Sequence, residues 1–185
     1  MSGLTQYLES AKQKIDSFEN GKFYIQNYRN PLMREYLMRL GDDGYNSRLT
    51  KNITSRLGPT PENLLIVGGC FGRLGRGIAE KNRHLMVYEM DSVGEMCIEA
   101  NRLAKEQGTD NYLSFQGDGR SIESRDQTYS HVAAVGVIRY LDPEGLDSMV
   151  FEMLRVSKDS ITIADGRIKE EITRLKWVVE SPFHP

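Results

Sequence analysis

The residues best suited to hold a ligand fall into four short groups. Gly68, Gly69, Cys70, Phe71 and Gly72 form a glycine-rich turn behind the apolar run Leu64 to Val67. Glycines there would let backbone N–H groups approach a ligand that any Cβ would exclude. Glu89, Met90 and Asp91 close a second apolar run, with Glu89 seventeen residues beyond Gly72. A carboxylate at such a place can accept hydrogen bonds from the two hydroxyls of a ribose. Asp118 and Gly119 sit in a polar turn, QGDG, and the run from Gly136 to Tyr140 follows an apolar stretch. Together these types suit a nucleoside-bearing ligand.

The elements that must position them alternate. Leu64 to Val67, Leu85 to Tyr88, Tyr112 to Phe115, His131 to Val137 and Ile161 to Ala164 read as five strands. Between them, apolar residues recur at helical spacing: Leu74, Ile78 and Ala79, then Val93 to Ala104, then Leu146 to Leu154. Ser92 and Glu95 have the spacing of a capping box, and Asp142-Pro143 that of a helix start. Strands alternating with helices imply an α/β fold, a Rossmann-like parallel sheet with helices on both faces. Ligands bind such sheets beyond the carboxyl ends of the strands, and all four groups share that edge. Residues 1–58 are expected to be a helical N-terminal extension or lid, with helices over 3–18, from Asn30-Pro31 to Leu40, and from Tyr45 to Leu57. Residues 59–185 would form the cofactor-binding domain.

Composition narrows the function. The formal net charge of the 185-residue chain is −2, without the cationic excess of a nucleic-acid binder. No apolar run approaches a membrane span, and the start has no signal-like apolar core, so a cytoplasmic protein is expected. Two cysteines make no disulfide framework. His84, His131 and His184 are scattered, so no metal site is expected. His131 reads as a strand residue without chemistry.

From about Asn63 to Arg167 the chain resembles the class I S-adenosylmethionine-dependent methyltransferases, in the branch that acts mostly on small molecules. LLIVGGCFGRLGRGIA is similar to the family's first motif, VYEMD to its second, FQGDGRSI to its third and VGVIRYLDP to its fourth. The resemblance implies S-adenosylmethionine as cofactor, held by Gly68, Gly69, Cys70, Gly72, Glu89, Met90, Asp118, Gly119, Gly136 and Val137. It gives Glu89 the ribose hydroxyls and Asp118 the adenine amino group, with Met90 and Ile122 against the adenine face. Arg139 and Tyr140 stand where the family meets its methyl acceptor, expected here to be a small molecule, and are the candidate catalytic residues.

The chain departs from the pattern at three places. Ile66 stands where the first motif has an acid, and Cys70 where it has a glycine. Too few residues follow the fifth strand for the family's C-terminal strand hairpin, which should be reduced or missing. The sheet edge so exposed raises the expectation of a homodimer. Two other readings stay open. One is a non-catalytic cofactor- or partner-binding member of the same fold. The other is a nicotinamide-dependent oxidoreductase, since Gly69, Gly72, Gly75 and Glu89 also suit a dinucleotide.

Overall fold

The structure, a computed structural model, describes residues 30–32, 45–57 and 63–164; the side chains of residues 45–47 and 139 are outside that description. Five strands form one parallel sheet in the order β3-β2-β1-β4-β5. They are β1 (Asn63–Val67), β2 (Met86–Asp91), β3 (Tyr112–Gln116), β4 (Tyr129–Val135) and β5 (Ser157–Ala164). The helices are α1 (Tyr45–Thr54), α2 (Arg73–Lys81), α3 (Gly94–Glu106) and α4 (Pro143–Val156), with a 3₁₀ turn at Ile138–Tyr140. The expected α/β class, with helices on both faces of a parallel sheet, is what the chain adopts. The helices expected over residues 3–18, and most of that expected up to Leu40, lie outside the described residues. So do the segment after β5 and the question of the strand hairpin. At Asn30 the helix start is visible: its Oδ1 accepts the Leu32 N–H at 3.0 Å, with Pro31 as the first helical residue.

The central strands are apolar on both faces because both faces are covered. On β1, Leu64 and Ile66 point to one side and Leu65 and Val67 to the other, and all four are buried. The first side packs against Leu49 and Ile53 of α1, Leu74 and Ile78 of α2, and Ala100 and Ala104 of α3. The second packs against Met149 and Met153 of α4 and Ile122 of the preceding loop. Each such aliphatic side chain contributes roughly 1.5–3 kcal/mol by leaving water. The switch in connection direction falls between β1 and β4, so the crevice opens where β1 ends at Val67 and β4 at Val135.

β5 begins at Ser157, four residues before the expected Ile161, and α1 ends at Thr54, short of the expected Leu57; three further boundaries lie near the ligand edge. β2 runs two residues past Glu89, to Asp91, because Met90 is still pairing in register with Val67 and Asp91 with Gln116. β4 starts at Tyr129 and stops at Val135, since Gly136 turns the chain with φ +71°. α3 does not use Ser92 as its cap. Val93 is the N-cap with no side-chain cap bond, and the Val93 N–H is taken instead by Asp91 Oδ1 at 2.9 Å. The Asp142-Pro143 start holds as expected: the Asp142 carboxylate accepts the Gly145 N–H at 2.8 Å.

β4 and β5 are locked by a buried imidazole. His131, 1 % exposed, meets the Ser160 hydroxyl through Nδ1 at 2.7 Å and the Thr162 hydroxyl through Nε2 at 2.9 Å. Burial, helped by the Arg56 charge, pushes its pKa down to about 4. It is therefore a structural residue, neutral in the folded chain. Above its ordinary pKa the imidazole is neutral in both states. As the pH falls from there toward 4, the unfolded chain takes a proton that the folded chain refuses, so stability is lost. Urea titrations should show this loss reaching about 3 kcal/mol at the acid end of the window. A His131→Asn variant, less stable overall, should lack that part of the slope; an unchanged slope would refute the assignment.

Candidate functional site

The site is built on the loop from Gly68 to Gly72, which joins β1 to α2. Gly68, Cys70 and Gly72 take left-handed φ values of +78°, +55° and +73°. Two of these are glycines, as that conformation favours; Cys70 bears the strain of a side chain there. The Gly68 and Gly69 N–H groups both donate to the Met90 carbonyl, at 2.7 and 3.2 Å. Cys70 N–H donates to Asp91 Oδ2 at 2.9 Å. The turn is thus tied along its length to the last two residues of β2.

The two acids of β2 differ because they sit at different depths. Glu89 and Asp91 point to the same side of the sheet, two residues apart. Glu89 is fully buried, and its carboxyl accepts the Tyr112 hydroxyl and the Gly75 N–H. Its Oε1 has no partner and lies against Gly69. Burial raises the Glu89 pKa to about 8, reinforced by Asp91 and opposed by Tyr112, Gly75 and Arg76. Glu89 is therefore mostly a neutral acid at pH 7. Asp91 is only partly covered and stands at the sheet edge, its oxygens taking Cys70 N–H and Val93 N–H. Burial raises its pKa as well, against the pull of those N–H donors. Asp91 thus stands partly exposed at the end of β2, while Glu89 lies buried against Gly69.

The other expected residues are placed as follows. Gly68, Gly69, Cys70, Gly72, Met90, Asp118, Gly119, Gly136 and Val137 all come to the carboxyl edge of the sheet, at or just beyond the ends of β1, β2, β3 and β4. Met90 and Ile122 are 2 % and 3 % exposed and belong to the core on the α4 side. Asp118 is exposed and held by Arg120, whose Nη2 approaches Oδ2 at 2.6 Å while its backbone N–H reaches Oδ1 at 2.9 Å. That pairing keeps the Asp118 carboxyl below the usual range. Val137 packs on Gly68, where a Cβ would overlap it. Gly136 faces open space, with nothing within 4 Å of where a Cβ would stand. Tyr140 lies in the 3₁₀ turn, its N–H donating to the Val137 carbonyl at 3.0 Å; Arg139 lies in the same turn. Ile66, in the place of the family's first acid, is 1 % exposed and packs in the core.

Cys70 carries no nucleophile. Burial and the Asp91 carboxylate hold its thiol well above the ordinary range, and its Sγ lies 3.5 Å from Met96 Sδ. Among the described residues no group of three His, Cys, Asp or Glu is arranged to hold a metal ion. No described helix is long and apolar enough to cross a membrane.

No protein-family model matches the chain, and no curated protein matches it in sequence. Solved structures do match. A protein of Methanococcus maripaludis assigned as an S-adenosyl-L-methionine-dependent methyltransferase superposes with TM-score 0.62 at 18 % identity, over 77 % of this chain and 70 % of that one. A SAM-dependent methyltransferase from Aquifex aeolicus gives TM-score 0.52 at 19 % identity, over 62 % of each chain. The [4+2]-cyclase SpnF gives TM-score 0.58 at 21 % identity, over 65 % of this chain and 45 % of that one. The chain has the class I methyltransferase fold. It spans about half the length of some structures it matches, 45 % of SpnF and 53 % of a Pyrococcus horikoshii protein. Within this fold, the strand order reverses beside the glycine turn, and Asp91 and Asp118 are acids at that edge.

Sequence reasoning placed Asp91 at this edge but missed its bond to the turn, along with Tyr112 and Gly75 as partners of Glu89 and Arg120 as partner of Asp118. The signal for Asp91 was local. An acid just before a helix start, followed by the apolar stripe of α3, marks the end of the preceding strand.

Gly69 tests this geometry. A Cβ there would overlap Glu89 Cγ and Cδ, with no positive φ to add strain. Gly69→Ala should therefore destabilise the chain by about 2–3 kcal/mol in urea titrations. Placing Gly69→Ala on a Glu89→Ala background should recover at least about 1 kcal/mol of that loss. Strict additivity would show that the two residues do not touch.

Proposed function

We propose that the chain is an S-adenosylmethionine-dependent methyltransferase acting on a small molecule. The observation that supports this best is the Asp91 carboxylate, braced by Cys70 N–H at 2.9 Å across the glycine turn at the sheet's switch point. A carboxylate has about four acceptor positions, and here backbone N–H groups occupy some of them and fix its orientation. The remaining lone pairs suit the two ribose hydroxyls of the nucleoside. Asp91 takes this role in preference to Glu89, whose carboxyl is buried beneath Gly69. Beside it, Gly136 leaves room at the end of β4, where a Cβ would meet nothing. Asp118 and Gly119 stand at the end of β3, on the side where the nucleobase would extend.

When bound, the cofactor supplies a methyl group on a sulfonium, which an acceptor's lone pair displaces. The chain's part is orientation and exclusion of water, since methyl transfer is governed largely by alignment. Tyr140 and Arg139, in the turn after Gly136, are the residues proposed to meet the acceptor. The net charge of −2 supports a small molecule over a nucleic acid. The buried apolar side chain of Ile66 leaves the cofactor's amino group to be held by other parts of the chain.

Titration calorimetry with S-adenosylmethionine is the test. The wild type should bind, and Asp91→Asn should weaken binding by at least about tenfold, the value of one charge-assisted hydrogen bond. Labelled methyl transfer to a metabolite pool should follow. Binding without transfer would favour a non-catalytic cofactor-binding role, and no heat from folded protein would refute the proposal.

A further inference from the structure

Glu89 is the one acid at the glycine turn that the proposed chemistry leaves without a task. It is fully buried, yet a buried carboxyl is costly and is kept neutral where nothing pairs its charge. Four features locate its effect. Its Oε1 has no partner and rests against Gly69. Its carboxyl takes the Tyr112 hydroxyl and the Gly75 N–H, so it bridges β3 and the first turn of α2. Gly69 and Gly75 both have to be glycine because this carboxyl fills the space beside them. And the residue after Gly69 is Cys70, whose N–H braces Asp91.

We propose that Glu89 is a positioning residue that holds a proton beneath Gly69, keeping the turn in the shape that presents Asp91 to a nucleoside. This rests on the S-adenosylmethionine reading and adds to it a pH dependence of binding. When Glu89 loses its proton to solvent, a charged oxygen without a donor is left against the Gly69 backbone. Relieving it requires water or a shift of the turn, and either loosens the Cys70–Asp91 contact. The groups facing Glu89 offset that charge only in part, less than burial costs it. Tyr112, on β3, donates one hydrogen bond. Arg76, on α2, favours the anion by its charge, but its Nη1 and Nη2 hydrogen bonds go to Gln107 and the Phe71 carbonyl and none reaches Glu89 Oε1. Asp91 on β2, together with Cys70 in the turn and Cys97 on α3, offers no positive charge. The pKa of about 8 places the transition just above neutrality.

The sign follows from linkage. The folded-state pKa lies above the ordinary value for a glutamate, so the stability Glu89 contributes is full below that ordinary value. It is lost as pH rises toward and through 8. Ligand affinity should fall in the upper part of the same window, because the bound state needs the protonated form.

S-adenosylhomocysteine is the probe, since it carries no sulfonium charge. Its dissociation constant is measured by calorimetry from pH 6.5 to 9.5 with wild type, Glu89→Gln and Tyr112→Phe. Wild-type affinity should fall about tenfold between pH 7 and 9 relative to Glu89→Gln, which shares the ligand's own titration. At pH 7 Glu89→Gln should bind within about threefold of wild type, because the amide reproduces the neutral acid's shape. Tyr112→Phe removes a donor that favours the anion, so its break should move to higher pH. A constant ratio of wild type to Glu89→Gln across the range would overturn the proposal. So would a loss of more than about tenfold in Glu89→Gln at pH 7, which would make Glu89 itself the ligand's acid. If Glu89→Gln fails to fold, an unshifted break in Tyr112→Phe overturns it instead. If no folded protein binds the probe at any pH, the S-adenosylmethionine reading falls. The difference in melting midpoint between wild type and Glu89→Gln, widening from pH 5 to 8, then decides whether Glu89 holds its proton.

Discussion

The hydrogen bond from Cys70 N–H to the Asp91 carboxylate is the contact on which the site depends. It joins the turn after β1 to the end of β2, across the pair of strands at the centre of the sheet. The two bonds from Gly68 and Gly69 to the Met90 carbonyl make the same connection through backbone alone. With these three bonds in place, the turn cannot slide relative to β2, and the acid at the edge has a fixed orientation. The left-handed conformations at Gly68, Cys70 and Gly72 are the consequence, since the chain must fold sharply to reach Met90 and Asp91 and then enter α2.

Burial divides the labour between the two acids of β2. Both lie on one side of one strand, and only depth distinguishes them. Asp91 stands at the end of the strand, partly covered, and its N–H donors favour its charge against the effect of burial. Glu89 lies beneath the turn, where one hydroxyl and one N–H do not compensate for lost water. A single strand thus carries one acid held by backbone N–H donors at its end and one buried acid beneath the turn. The close approach of Gly69 and Gly75 to Glu89 explains why this turn has more glycines than its positive φ angles require.

Much of this was legible in the sequence. The alternation of apolar runs with helical stripes gives five parallel strands between helices, and the N-cap at Asp142 follows from Asp-Pro alone. The four groups singled out do meet at one edge. What was not legible is depth. The apolar run from Leu85 to Tyr88 makes Glu89 look like the strand's end, yet pairing continues to Asp91 because Met90 is itself a core residue. Ser92 and Glu95 have capping-box spacing, but the Asp91 carboxylate reaches the Val93 N–H first. Tyr112 and Glu89 are distant in sequence, and only the pairing of β2 with β3 brings them together. His131 was read as structural, and its two hydroxyl partners on β5 give the reason.

A crystal structure with S-adenosylhomocysteine bound tests the central claim most directly. The account predicts the ribose hydroxyls within hydrogen-bonding distance of the Asp91 carboxylate, with Glu89 still on Tyr112 beneath the turn. A nucleoside whose hydroxyls reach Glu89, or a ligand seated away from the glycine turn, would contradict it.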